Sequence, residues 1–131
     1  MRPMSSRMMR CLQWRKSKQP GITTRIPPEA FYYEPFYHLM RQTLLGAKMV
    51  EKKDKGCADY QHIHVIPSKN TELLERVTSP YLKGNNITEA WKSALKNPDK
   101  YRVISPKDFL APCMNKEDSK SFLSYLQKRY W

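Results

Sequence analysis

No aspartate or glutamate occurs in residues 1–28, whereas Arg2, Arg7, Arg10, Arg15, Lys16, Lys18 and Arg25 all lie there. A stretch so one-sided in charge cannot neutralise itself, so its partner is expected outside its own core. Cysteine is also scarce. Cys11, Cys57 and Cys113 stand far apart with no C-x-x-C spacing, which excludes a disulfide framework and a zinc knuckle and points to a reducing, cytoplasmic setting. No apolar run approaches the roughly 20 residues that cross a bilayer, and no charged, apolar and small-residue succession resembles a signal peptide. The expectation is a soluble chain with no membrane partner.

What is present is positive charge. The chain has 131 residues, with 24 Lys plus Arg against 12 Asp plus Glu and a net charge of +12. That length suits one small domain, and that balance favours a polyanion, most often nucleic acid. The plainer alternative is a basic surface kept for solubility or for another protein. Residues 1–28 admit three readings: a basic arm that follows phosphates, an organelle-targeting peptide, or a piece of a larger domain whose earlier elements are missing. Met8, Met9, Cys11, Leu12 and Trp14 are too apolar for a purely solvated tail. Gly21 and the pair Pro27–Pro28 then break regular structure, which divides the chain into a basic segment, 1–28, and a body, 29–131.

The body is organised around residues 31–56, FYYEPFYHLMRQTLLGAKMVEKKDKG. At about 100° per residue, Phe36, Tyr37, Leu39, Met40, Leu44, Ala47 and Val50 share one arc, and His38, Arg41, Gln42 and Lys48 lie opposite. Leu45 and Met49 interrupt the polar side, so His38, Gln42, Leu45 and Met49 form a second stripe expected to be partly buried. Pro35 suits the first turn and Gly56 a stop.

Tyr60–Ile66 is rich in β-formers and ends at Pro67. Its alternation puts Ile63 and Val65 on one face and His62 and His64 on the other with Tyr60 and Ile66. Two such histidines can share a metal, but spacing places no third ligand; two strand histidines half-covered by a helix or loop is the plainer reading. Residues 71–77 suit a short helical turn, and Thr88 suits the cap of a helix through Lys96 with Trp91 as its anchor. Asn86-Ile87-Thr88 matches a glycosylation sequon, read as accidental in a chain without a secretion signal. A short extended piece, 101–104, precedes Ser105–Pro106, a cap and first helical position. A last helix is expected from Asn115, with Phe122, Leu123, Leu126 and Tyr130 inside. One confident strand cannot satisfy its own backbone. Its partners must come from residues 1–28, from 101–104, from another subunit in a homo-oligomer, or from a missing portion.

Four blocks, Tyr33–Leu45 (YEPFYHLMRQTLL), Ala58–Ser68 (ADYQHIHVIPS), Ala90–Pro106 (AWKSALKNPDKYRVISP) and Phe122–Trp131 (FLSYLQKRYW), together resemble the C-terminal part of bacterial restriction-endonuclease-like proteins of the PD-(D/E)XK nuclease superfamily. His38 stands where such relatives are expected to carry Gln. The resemblance implies a mixed sheet flanked by helices, and an acid and a strand-borne Glu-x-Lys that bind magnesium, the ion activating water against a phosphodiester. The central helix would follow the Glu-x-Lys strand, so those motifs should precede residue 31, where no acid exists before Glu29. Glu51-Lys52-Lys53 is a literal Glu-x-Lys at a helix end and reads as surface charge. Pro98–Asp99 follows Glu51 and has no Glu-x-Lys after it.

The expectation is thus an α/β (α+β) chain: a helix-rich, partial restriction-endonuclease-like fold with few strands and an incomplete sheet. It resembles a remnant or C-terminal fragment of a DNA nuclease, binding DNA while catalytically incomplete, with no catalytic or metal residue of its own, magnesium being expected only of the intact family. Arg41, Gln42 and His38 are the candidate contacts on the helix, and Arg10, Arg15, Lys16 and Lys18 those on the arm. The alternative is a non-enzymatic module for RNA or the ribosome that uses the arm and Trp14. A third class is a small metalloenzyme built on His62 and His64.

Overall fold

The computed structural model describes residues 21–130. A 3₁₀ turn, Pro28–Tyr32, leads into helix α1, Phe36–Glu51, and a second turn, Asp54–Gly56, follows it. Strand β1 is His62–Val65, helix α2 Thr71–Glu75 and helix α3 Ile87–Ala94. Strand β2, Tyr101–Ile104, is followed by helix α4, Pro106–Leu110, and helix α5, Lys120–Tyr130. The molecule is a helix-rich α/β fold around a two-stranded parallel sheet, in which His62 pairs with Tyr101 and Val65 with Ile104. Residues 101–104 are therefore a sheet partner that the lone strand required. The pairing is parallel because α2 and α3 carry the chain back to the same end of the sheet before β2 begins. No third strand joins the sheet among the described residues.

The central helix is shorter than residues 31–56. Pro35 precedes its first turn, after a cis Glu34–Pro35 bond, and residues 28–32 form their own 3₁₀ turn. At the other end Lys53 and Lys55 both take left-handed φ of 51°, which a regular helix of L-residues cannot accommodate. The inner arc holds: Phe36, Leu39, Met40 and Leu44 are buried. The second stripe holds only at Met49, which is half-buried. His38 and Gln42 are exposed and Leu45 is 63% exposed. The second contact of α1 runs instead through Thr43, which meets His62 on β1, and Gly46, which meets Tyr60 just before that strand. A Cβ on Gly46 would stand 2.7 Å from Tyr60 Cδ2, so the helix accepts glycine, normally unfavourable there, to let that ring in.

Trp91 is the centre of the core, fully buried, with Phe31 edge-on at 5.8 Å and Phe36 stacked at 6.3 Å. Ile22 joins this core through an antiparallel bridge to Leu95. Residues 21–28, assigned by sequence to the basic segment, are the only part of it among the described residues.

A cap explains one further shift. Helix α3 starts at Ile87 because Asn86, not Thr88, caps it: the Asn86 Oδ1 accepts the Glu89 N–H at 2.9 Å, and the Glu89 carboxylate accepts the Asn85 N–H. Ser105 caps α4 as expected, accepting from the Asp108 N–H at 3.1 Å. Helix α5 begins at Lys120 after a 3₁₀ turn, Glu117–Ser119, not at Asn115. Of its expected inner residues Leu123 is buried, while Phe122 is 57% exposed and Tyr130 37%.

Candidate nucleic-acid interface

His38, Arg41 and Gln42 lie within five residues on α1, and all three are exposed on the side away from Leu39 and Met40. The Glu34 carboxylate lies 3.4 Å from His38 Nε2. The Arg41 guanidinium sits 5.7 Å from the centre of the Tyr37 ring, which holds the side chain in place while leaving its donors toward solvent. Gln42 alone of the three is tied to the sheet: its Oε1 is 2.8 Å from His62 Nε2.

That bond opens onto a chain of polar contacts at the face of the sheet covered by helices. Thr43, only 1% exposed, places its hydroxyl 3.3 Å from His62 Nδ1. The His62 ring meets the Tyr101 ring edge to face at 5.2 Å, and the Tyr101 hydroxyl lies 3.0 Å from His64 Nδ1. Burial pushes both imidazoles below the ordinary histidine value, and for His62 the neighbouring His64 adds to the shift. Burial also pushes the Tyr101 phenol up, so it remains a donor. The cluster is neutral at neutral pH. Ile63 and Val65, on the other face, are 37% and 38% exposed.

The two histidines are held by hydroxyl and amide groups in this structure. Each ring nitrogen with a close contact faces a hydroxyl or an amide, and no three His, Cys, Asp or Glu side chains gather into a metal site among the described residues. Magnesium, which the resemblance implies, takes hard oxygen donors, chiefly carboxylates. This cluster offers imidazoles, hydroxyls and one amide, and does not fit it. The nearby Asp59 is paired with Lys100, which holds its carboxyl below the usual range. Glu51 ends α1 in a 2.7 Å pair with Lys48, and Asp99 lies in a turn, Pro98–Lys100, where its backbone oxygen accepts from Gln61. Neither literal motif converges on anything.

Sequence reasoning named Gln42 but missed what holds it. The signal was there in part: Thr43 is a polar residue beside the apolar arc, and His62 falls on the inward side of β1. Pairing the two required knowing that α1 crosses β1 at this point. Arg10, Arg15, Lys16, Lys18 and Trp14 lie outside the described residues.

Residues 6–131 match the family described as restriction endonuclease associating with ARP. The chain belongs to this family. The match runs through the basic segment as well as the body, and the resemblance read from the four blocks holds at the level of a restriction-endonuclease family. No curated protein and no solved structure matches the chain. Among the described residues no helix is long and apolar enough to cross a membrane.

Proposed function

We propose that this chain is the DNA-binding, catalytically incomplete part of a restriction-endonuclease domain of the PD-(D/E)XK type, contacting the phosphate backbone through α1. The observation that carries the reading is the exposed row of His38, Arg41 and Gln42, one member of which is anchored to the sheet through His62. Arg41 supplies charge and Gln42 a directional hydrogen bond, while the His38 ring lies beside the Glu34 carboxylate. The net charge of +12 supplies long-range attraction. A two-stranded sheet with no third described strand supports a domain completed by further strands, from a restriction-endonuclease partner, a second copy or additional chain. ARP, named in the family description, is a candidate for that association.

The test is binding of the full chain to a labelled duplex by fluorescence anisotropy over a salt series. Affinity should fall steeply with salt as neutralised phosphates release counterions. Arg41→Ala should weaken binding and reduce the salt slope by about 1. Salt-independent retention, or an unchanged slope in Arg41→Ala, overturns the reading.

A second reading, an RNA-binding module, is favoured by the face of α5. Phe122 and Tyr125 are more than half exposed there, and Arg129 donates to the Tyr125 hydroxyl at 2.9 Å, so flat aromatic surface lies beside cationic groups. Phe122→Ala and Tyr125→Ala separate the two: binding lost with these rings yet indifferent to Arg41 favours the module.

A further inference from the structure

The bond between Gln42 and His62 has a direction, and the direction decides what Gln42 shows to solvent. A carboxamide has an accepting oxygen at one end and an –NH2 with two donors at the other. An unrestrained, exposed glutamine presents either end. Here Oε1 faces His62 Nε2 at 2.8 Å. On the opposite edge of the ring, the Thr43 hydroxyl meets Nδ1 at 3.3 Å. A hydroxyl donating to Nδ1 leaves the single imidazole proton on Nε2, where it is donated to the Gln42 oxygen. The ring itself is held by its edge-to-face contact with Tyr101.

We infer that His62 is a positioning residue for Gln42: it takes the amide oxygen inward and so turns the –NH2 outward as a donor to a phosphodiester oxygen. Phosphate oxygens only accept, so the opposite orientation of the amide would place like partial charges together. The mirror tautomer, with Nδ1–H donating to Thr43 and the amide nitrogen turned toward Nε2, produces that opposite orientation. The role rests on the reading of α1 as the DNA face, and it adds to it a residue from β1 that does not itself touch DNA. Gln42 and Thr43 are consecutive on α1 and reach the two ring nitrogens, so the clamp needs only that α1 cross β1 at this register. Ordering the glutamine before binding removes a cost that a free side chain meets on association.

Two measurements test this on the full chain. Long-range ¹H–¹⁵N NMR of the histidine ring at neutral pH should show His62 protonated at Nε2 and bare at Nδ1; a proton on Nδ1 overturns the inference whatever the variants do. Anisotropy with a labelled duplex then compares Gln42→Ala, His62→Phe, His62→Gln and the double variant Gln42→Ala/His62→Phe. His62→Phe keeps a ring against Tyr101 but has no N–H. It should weaken binding roughly three- to tenfold, as Gln42→Ala does, and the double variant should lose no more than either single change. His62→Gln, whose amide nitrogen falls near the position of Nε2, should restore binding, which a merely structural role would not produce. Weakening by Gln42→Ala with none by a folded His62→Phe, or additive losses in the double variant, overturns the positioning role alone. Binding untouched by both Arg41→Ala and Gln42→Ala overturns the DNA reading and the role with it. Should His62→Phe fail to fold by circular dichroism, failure of His62→Gln to bind like the parent counts against the proposal.

Discussion

Gln42 on α1 and His62 on β1 meet at 2.8 Å, the one side-chain hydrogen bond among the described residues that ties the exposed polar row of the central helix to the sheet. With the Thr43 contact to the same ring, it joins α1 to β1, and it joins them through a neutral imidazole. Disturbing the ring therefore acts on both the fold and the surface.

The titration of that ring sets an acid limit to stability. His62 and His64 have folded-state values below the ordinary value of about 6.5. The unfolded chain therefore binds more protons in mild acid, and stability rises with pH in that range. Stability is full above about pH 6.5 and is lost as pH falls from there through the depressed folded values. Urea unfolding at pH 7.5 and pH 5 should give a lower midpoint at pH 5, and His62→Phe should flatten the difference. The Glu51 and Asp59 carboxyls are held below their usual range by Lys48 and Lys100, so they do not account for this window.

Gly46→Ala should destabilise. Alanine gains about 1 kcal/mol of helix propensity over glycine, but its Cβ would stand 2.7 Å from the Tyr60 ring, and overpacking of that kind costs roughly 1–3 kcal/mol. In a Tyr60→Ala background the clash is gone, and the same substitution should turn stabilising. Thermal unfolding of the four proteins checks the reversal of sign.

Trp91→Ala should cost about 3–5 kcal/mol, since it empties the centre of a core in which Phe31 and Phe36 both rest on the indole. Trp91→Phe should cost clearly less: it keeps an aromatic ring and removes an Nε1–H that is buried without a protein partner. Denaturant titration by circular dichroism distinguishes the two.

Much of the local structure was legible. Phe36, Leu39, Met40 and Leu44 were readable as one buried arc because the helical period is a property of the backbone. The two faces of β1 followed from strand alternation, Trp91 from its size, and Ser105–Pro106 from capping chemistry. The helix ends were less so. The cap of α3 fell to Asn86 because Glu89 reaches back to Asn85 and completes a reciprocal pair, a competition between neighbouring polar residues that spacing alone does not rank. The stripe of His38, Gln42, Leu45 and Met49 misled because apolar residues on a helix do not by themselves report what lies opposite.

Sequence by itself determined the charge, the class of fold, the central helix, the histidine strand and the kinship with a restriction-endonuclease family, all of which rest on local chemistry or on order along the chain. Only the tertiary structure decided that 101–104 is the parallel partner of β1, that α1 leans on the sheet through Thr43 and Gly46, and that Gln42 meets His62. Those are contacts between residues distant in sequence, selected by how the Trp91 core packs α1 and α3 together, and no period or propensity along a single segment encodes them.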